Sequence, residues 1–136
     1  MMTQLQAERT DCSPIDLTYA HDIVDGDMEL LQEIIALFLE DYPSQLTALG
    51  QAIVVGDAAE TKARSHRLKC SLGNIGSWRA YKLAYEIELM GMQSRLEGAA
   101  ERLIDLTAEI GRIVFFFEQP GWVLRTQTLL ACDEDQ

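Results

Sequence analysis

Ser65-His66-Arg67-Leu68-Lys69-Cys70-Ser71-Leu72-Gly73-Asn74-Ile75-Gly76 is the stretch on which the reading of this chain turns. At about 100° per residue, Leu68, Leu72 and Ile75 share one arc of a helix, and Thr61 and Ser65 extend that arc backwards. This is the stripe expected to be buried. His66 points the other way. At helical spacing its neighbours are Ala59, Lys62, Ala63, Lys69, Cys70 and Gly73, so the imidazole is ringed by small side chains with a lysine one turn away in each direction. Packing does not require such an arrangement. Small residues around a histidine leave room for another molecule, and ammonium groups nearby suit an anion placed on the ring.

Charge along the chain agrees with that placement. The net charge is −11, which argues against nucleic acid as a partner, because binding it takes a basic surface. Yet Lys62, Arg64, Arg67, Lys69, Arg79 and Lys82 fall in residues 62–82 with no Asp or Glu among them, and the first 61 residues carry only Arg9. A solvated helix face normally mixes both signs. A basic patch on an acidic body points to an anionic partner at the patch.

Outward from this stretch the pattern is helical throughout. Asp16 is placed to cap a short helix through Val24, closed by Asp25-Gly26. Asp27 caps a long second helix whose apolar residues Met28, Leu31, Ile35, Phe38, Tyr42, Leu46, Leu49 and Ile53 recur at three- and four-residue steps. Leu30, Ile34 and Leu37 widen this stripe, as expected of an element touching two neighbours, and Pro43 is expected to kink or interrupt it. Asp57-Ala58-Ala59-Glu60 has the spacing of a capping box for the helix that carries His66. That helix is expected to turn near Gly76-Ser77. A fourth runs from Trp78 to Met90, with Ala80, Leu83, Ile87 and Met90 on one stripe. A fifth starts near Ser94 and ends at Glu118-Gln119-Pro120-Gly121. The expected fold is all-α, an antiparallel four-helix bundle with an extra short N-terminal helix. Residues 1–14 read as a flexible terminus, 15–118 as the bundle and 119–136 as a C-terminal extension in which Trp122, Val123, Leu124, Leu129 and Leu130 can pack back.

His66-x-Leu68-Lys69 followed by Gly76, with a further helix carrying Glu88, resembles the histidine-containing phosphotransfer (HPt) domains of multistep phosphorelays. Helix pattern extends the likeness over roughly Ile15 to Phe117. The chain departs from the family in one place, where Cys70 stands in the position after the lysine that is usually Gly. The resemblance implies that His66 is the phosphoryl acceptor, that Lys69 contacts the phosphate, and that Glu88 sits beside the imidazole and orients it. Lys62, Ala63, Arg67, Cys70 and Gly73 then form the surface met by a partner. The partners implied are response-regulator receiver domains and a sensor or hybrid histidine kinase. Magnesium would be supplied by the receiver, and the protein would act as a monomeric phosphocarrier with no cofactor of its own.

The chemistry suits the residue. Neutral imidazole is a competent nucleophile near neutral pH, and a phosphoryl group on its nitrogen is labile enough to be passed on. Competing chemistries lack their residues. There is no GxxxxGK[ST] loop for ATP, no HExxH, and no Glu three residues before His66 or His21, where Ala63 and Thr18 stand. His21 reads as a structural histidine. Cys12, Cys70 and Cys132 are odd in number and widely spaced, so they read as reduced thiols of a cytoplasmic protein and not as a disulfide framework or metal site. The sequence has neither a membrane-length apolar run nor a signal-peptide build at its start. Two other readings remain: an HPt-like adaptor whose His66 is never phosphorylated, and a dimerising histidine domain of a kinase.

Overall fold

The computed structural model describes residues 14–119 and 121–123. The expectations for residues 1–13 and for Leu124, Leu129 and Leu130 lie outside the described residues. Five helices and no strand are found among them: α1 Leu17–Ile23, α2 Met28–Val55, α3 Ala58–Asn74, α4 Trp78–Met92 and α5 Ala99–Glu118. α3 packs on α4, α4 on α5, α5 on α2 and α2 on α3, which closes a four-helix bundle, while α1 lies against α2.

Three aspartates start three helices by the same device. Asp16, Asp27 and Asp57 each accept the backbone N–H three residues on, from Tyr19, Leu30 and Glu60, at 3.1 Å. Only half of the expected capping box forms at Asp57. Its own N–H is already donated to the Ala52 carbonyl, in the turn where left-handed Gly56 closes α2, and the Glu60 carboxylate takes Arg64 instead, at 2.6 Å.

The core is the set of inward stripes. Leu31 and Leu49 of α2, Leu68 and Leu72 of α3, Ile87 of α4, and Leu106, Ile110 and Ile113 of α5 are fully buried, with Ile75 closing the end of α3. Thr61 and Ser65 lie on the same buried arc. The Ser65 hydroxyl returns to its own helix, donating to the Thr61 carbonyl at 2.6 Å, which keeps a polar group tolerable there.

α2 runs on through Pro43 as one helix, without interruption. Three details differ from the expectations. Ile34 packs against the core as expected, but Leu30 and Leu37 stand 41% and 64% exposed, because the α2 stripe facing the bundle is filled by Leu31, Ile35 and Phe38. On α4 the buried line is Ala80, Ala84, Ile87, Glu88 and Gly91, with Leu83 partly buried against the core beside it and Met90 half-buried. Finally α5 begins at Ala99, five residues after Ser94. Ser94 takes a left-handed φ of 54°, with the following Arg95 N–H bonded back to the Met90 carbonyl, so this segment terminates α4 and the chain restarts after Gly98.

Two tertiary ties fix the end of the bundle beyond His66. The Asp16 N–H donates to the Gly76 carbonyl at 2.8 Å, and Trp78 Nε1 donates to the Asp16 carboxylate at 3.3 Å. At the C-terminal end Trp122 is buried and meets Phe117 edge-on at 5.0 Å between ring centroids.

Candidate functional site

His66 sits in the middle of α3, on the face opposite the Leu68–Leu72 stripe, with 55% of its side chain exposed. Glu88 reaches it from α4, where the buried line brings the carboxylate to the α3 seam at only 9% side-chain exposure. Oε2 of Glu88 lies 2.8 Å from Nδ1 of His66, and Oε1 lies 2.8 Å from the ammonium of Lys69. One carboxylate therefore holds two neighbours of the α3 face. The resemblance implies Glu88 beside the ring, as found; its second contact, to Lys69, has no signal in spacing.

Electrostatics decide the protonation pattern. Burial opposes ionisation of Glu88, but the Lys69 contact and then the His66 contact outweigh it, and the carboxyl is held below its ordinary value. Lys69 is held above its ordinary value, chiefly by its bond to Glu88 and against the cost of its own burial. An ionised carboxylate only accepts, so Nδ1 carries the proton of this contact, and whenever the ring is neutral its lone pair is on Nε2. Lys69 is itself largely covered, 15% exposed, with its ammonium 4.9 Å from the Tyr85 ring centroid and 5.9 Å from that of Tyr81.

Around the ring, Lys62, Ala63 and Arg67 are exposed as the helical wheel requires, and Gly73 lies farther along, where an added Cβ would approach the Tyr81 ring to 3.3 Å. Cys70 is exposed and one turn from His66, with its sulfur 3.7 Å from Nε2. The atom that faces the lone pair is thus the side chain in which this sequence departs from the resemblance.

A model of the Hpt domain family matches residues 33–114, well over half of the chain and including His66, Lys69, Cys70 and Glu88. The chain belongs to the Hpt domain family. No match was found to a curated protein or to a solved structure. Hpt domains are phosphocarriers, working with receiver domains and histidine kinases in two-component phosphorelays; they are not enzymes in the classical sense. No helix among the described residues of this Hpt domain is long and apolar enough to cross a membrane.

Two features of this Hpt domain escaped sequence reading. The aromatic side chains Tyr19, Trp78 and Tyr81 form a chain of edge-on contacts at 4.8 and 5.7 Å, and Tyr81 and Tyr85 then flank Lys69. Gly91, the next-to-last residue of α4, gives α4 its close approach to α3.

Proposed function

We propose that this Hpt domain accepts a phosphoryl group on Nε2 of His66 from a receiver-domain aspartate and passes it to the aspartate of another receiver. The observation that carries the reading is the His66–Glu88 contact, which holds the ring by Nδ1 and leaves the lone pair to Nε2. In the forward step Nε2 attacks phosphorus, the N–P bond forms, and the P–O bond to the receiver aspartate breaks, releasing the carboxylate. The Nδ1 proton stays on the ring, and the carboxylate of Glu88 faces the positive charge that the ring acquires. The second receiver's aspartate then attacks phosphorus and regenerates the neutral imidazole.

In this reading Lys69 turns its ammonium from Glu88 towards the phosphoryl oxygens once they arrive. Lys62, Ala63, Arg67, Cys70 and Gly73 meet the receiver, whose acidic pocket supplies the magnesium, and opposite charge steers the encounter. The protein acts as a monomer and needs no cofactor of its own.

The test is transfer from a panel of phosphorylated receiver domains to the wild type and to His66→Gln. Acid-labile label on the wild type alone is the expected result. A second reading, an adaptor that binds receivers without being phosphorylated, is favoured by the sulfur of Cys70 lying against Nε2. Label on neither protein, with a receiver still bound, selects it.

A further inference from the structure

The sulfur of Cys70 and Nε2 of His66 are 3.7 Å apart on adjacent turns of α3. A tetrahedral Zn²⁺ with bonds of about 2.3 Å to thiolate and about 2.0–2.1 Å to imidazole holds its two donors about 3.5 Å apart. The pair is therefore spaced, to within a few tenths of an ångström, for one ion to bridge it. The ring has the second feature that histidine ligands carry. Its remaining nitrogen is bonded to a carboxylate, Glu88, which fixes the tautomer with Nε2 unprotonated and raises the basicity of the ligating nitrogen.

We infer that His66 Nε2 and Cys70 Sγ form a bidentate site for a soft divalent cation of the Zn²⁺ class, and that occupying it blocks phosphorylation of His66. Sequence spacing disclosed no metal motif, and among the described residues no third His, Cys, Asp or Glu converges on the pair. The remaining positions of the ion face solvent, which makes the site exchangeable rather than structural. Lys62 and Arg67 add unfavourable charge, but both are exposed and screened, and the charge of Lys69 is already matched by Glu88. The thiol gives up its proton on binding, so a thiolate anion enters the site with the cation and affinity falls as pH is lowered. The one metal–nitrogen bond uses the lone pair that phosphorus needs, so metal and phosphoryl group exclude one another. The blocking consequence rests on the proposed acceptor role of His66; the binding site does not.

Binding is measured first, on the full reduced chain with Cys12 and Cys132 replaced by Ser, using Co²⁺ as a spectroscopic probe and Zn²⁺ as its competitor. A thiolate-to-cobalt charge-transfer band that Zn²⁺ displaces is expected. It should vanish in Cys70→Ser, collapse in His66→Gln, and require about tenfold more metal in Glu88→Gln. A band unchanged by His66→Gln, or no band at all, overturns the site. Transfer from a phosphorylated receiver is then compared with and without Zn²⁺ within each variant. Inhibition in the Cys70-containing protein but not in Cys70→Ser supports the block, and equal inhibition of both overturns it. A protein that binds Co²⁺ through both residues yet accepts no label upholds the site and counts against the proposed function alone.

Discussion

Gly91 lies directly against the backbone of Lys62: a Cβ on Gly91 would stand 2.8 Å from the Lys62 nitrogen and 2.9 Å from the Ala58 carbonyl oxygen. These contacts are to helix backbone, which cannot rotate aside. Lys62 is one turn before His66 on α3, and Gly91 is one turn after Glu88 on α4, so in this antiparallel pair the glycine sets the helix spacing at the His66–Glu88 contact. Gly91→Ala is expected to push the helices apart. Overpacking of this kind costs about 1–3 kcal/mol, and the helix-propensity gain from replacing a glycine this near the helix end offsets only part of it. Urea unfolding should show a net loss, and transfer to His66 should slow. Wild-type stability with wild-type transfer would show that the helices do not need this approach.

Glu88 is bonded to both His66 and Lys69, so its charge and its hydrogen-bonding shape can be separated. Glu88→Gln keeps the shape, offers an amide in place of the anion and leaves Lys69 without its partner. If the carboxylate orients the ring, transfer should fall between about ten- and a hundredfold, the scale of a misplaced reacting group. A purely structural role predicts lower stability with an unaltered rate per folded molecule. The nitrogen-bound proton signal of the ring separates the two accounts: Nδ1–H is expected in the wild type and a mixture of tautomers in the variant.

Much of this architecture is legible in the sequence because it obeys local rules. The three aspartate caps and the Thr61–Ser65–Leu68–Leu72–Ile75 stripe follow from side-chain reach and helical period, and both are where those rules put them. Ser94 was misread because Leu96 and Ala99 continue an apolar period that a single left-handed residue breaks, and period alone does not register backbone sign. The Lys69–Glu88 bond was hidden for a different reason. It depends on how far α4 is rotated about its axis, which spacing along the chain does not register; Gly91, lying against the backbone of Lys62 and Ala58, marks the α4 face that meets α3.

The Glu88–Lys69 pair gives stability a definite pH dependence. Glu88 is held below its ordinary value of 4.5 in the folded chain, so its contribution is complete above that pH and fades as pH falls through the folded value. Lys69 is held above 10.5, so its contribution is complete below 10.5 and is lost as pH rises through the folded value. Between the two the pair contributes a plateau. Denaturation across this range should show the wild type losing its advantage over Glu88→Gln on acidification below 4.5. A difference that stays constant into acid would mean that Glu88 stabilises the fold by packing and not by charge.

Gly76 and Gly111 should respond to alanine with opposite signs. Gly76 has a φ of +71°, and a Cβ there would sit 2.9 Å from the Asp16 carbonyl oxygen, whereas a Cβ on Gly111 in α5 meets nothing within 4 Å. Gly76→Ala is expected to cost about 1–2 kcal/mol for the left-handed backbone, plus whatever it takes to part the Asp16–Gly76 bond that ties α1 to the bundle. Gly111→Ala should instead raise stability by up to about 1 kcal/mol through helix propensity. Thermal unfolding of the two variants checks both signs, and a neutral Gly76→Ala would show that α1 docks without that turn.

Cys70 faces the lone pair of His66 at 3.7 Å, and two of its properties act on an incoming phosphoryl group. The thiol proton can be donated to Nε2, which ties up the nucleophilic pair weakly, and the sulfur occupies space beside the ring. Cys70→Ala removes the sulfur and keeps Cβ, while Cys70→Gly removes both and costs a few tenths of a kcal/mol to about 1 kcal/mol of helix stability. If the thiol contact is what limits transfer, the two variants should speed it to the same degree, measured as initial rate from one phosphorylated receiver in the presence of a chelator. If bulk is what matters, Gly should exceed Ala. Slower transfer in both variants would instead make the cysteine a productive contact with the receiver, and its sulfur would then belong to the docking surface proposed for Lys62 and Arg67.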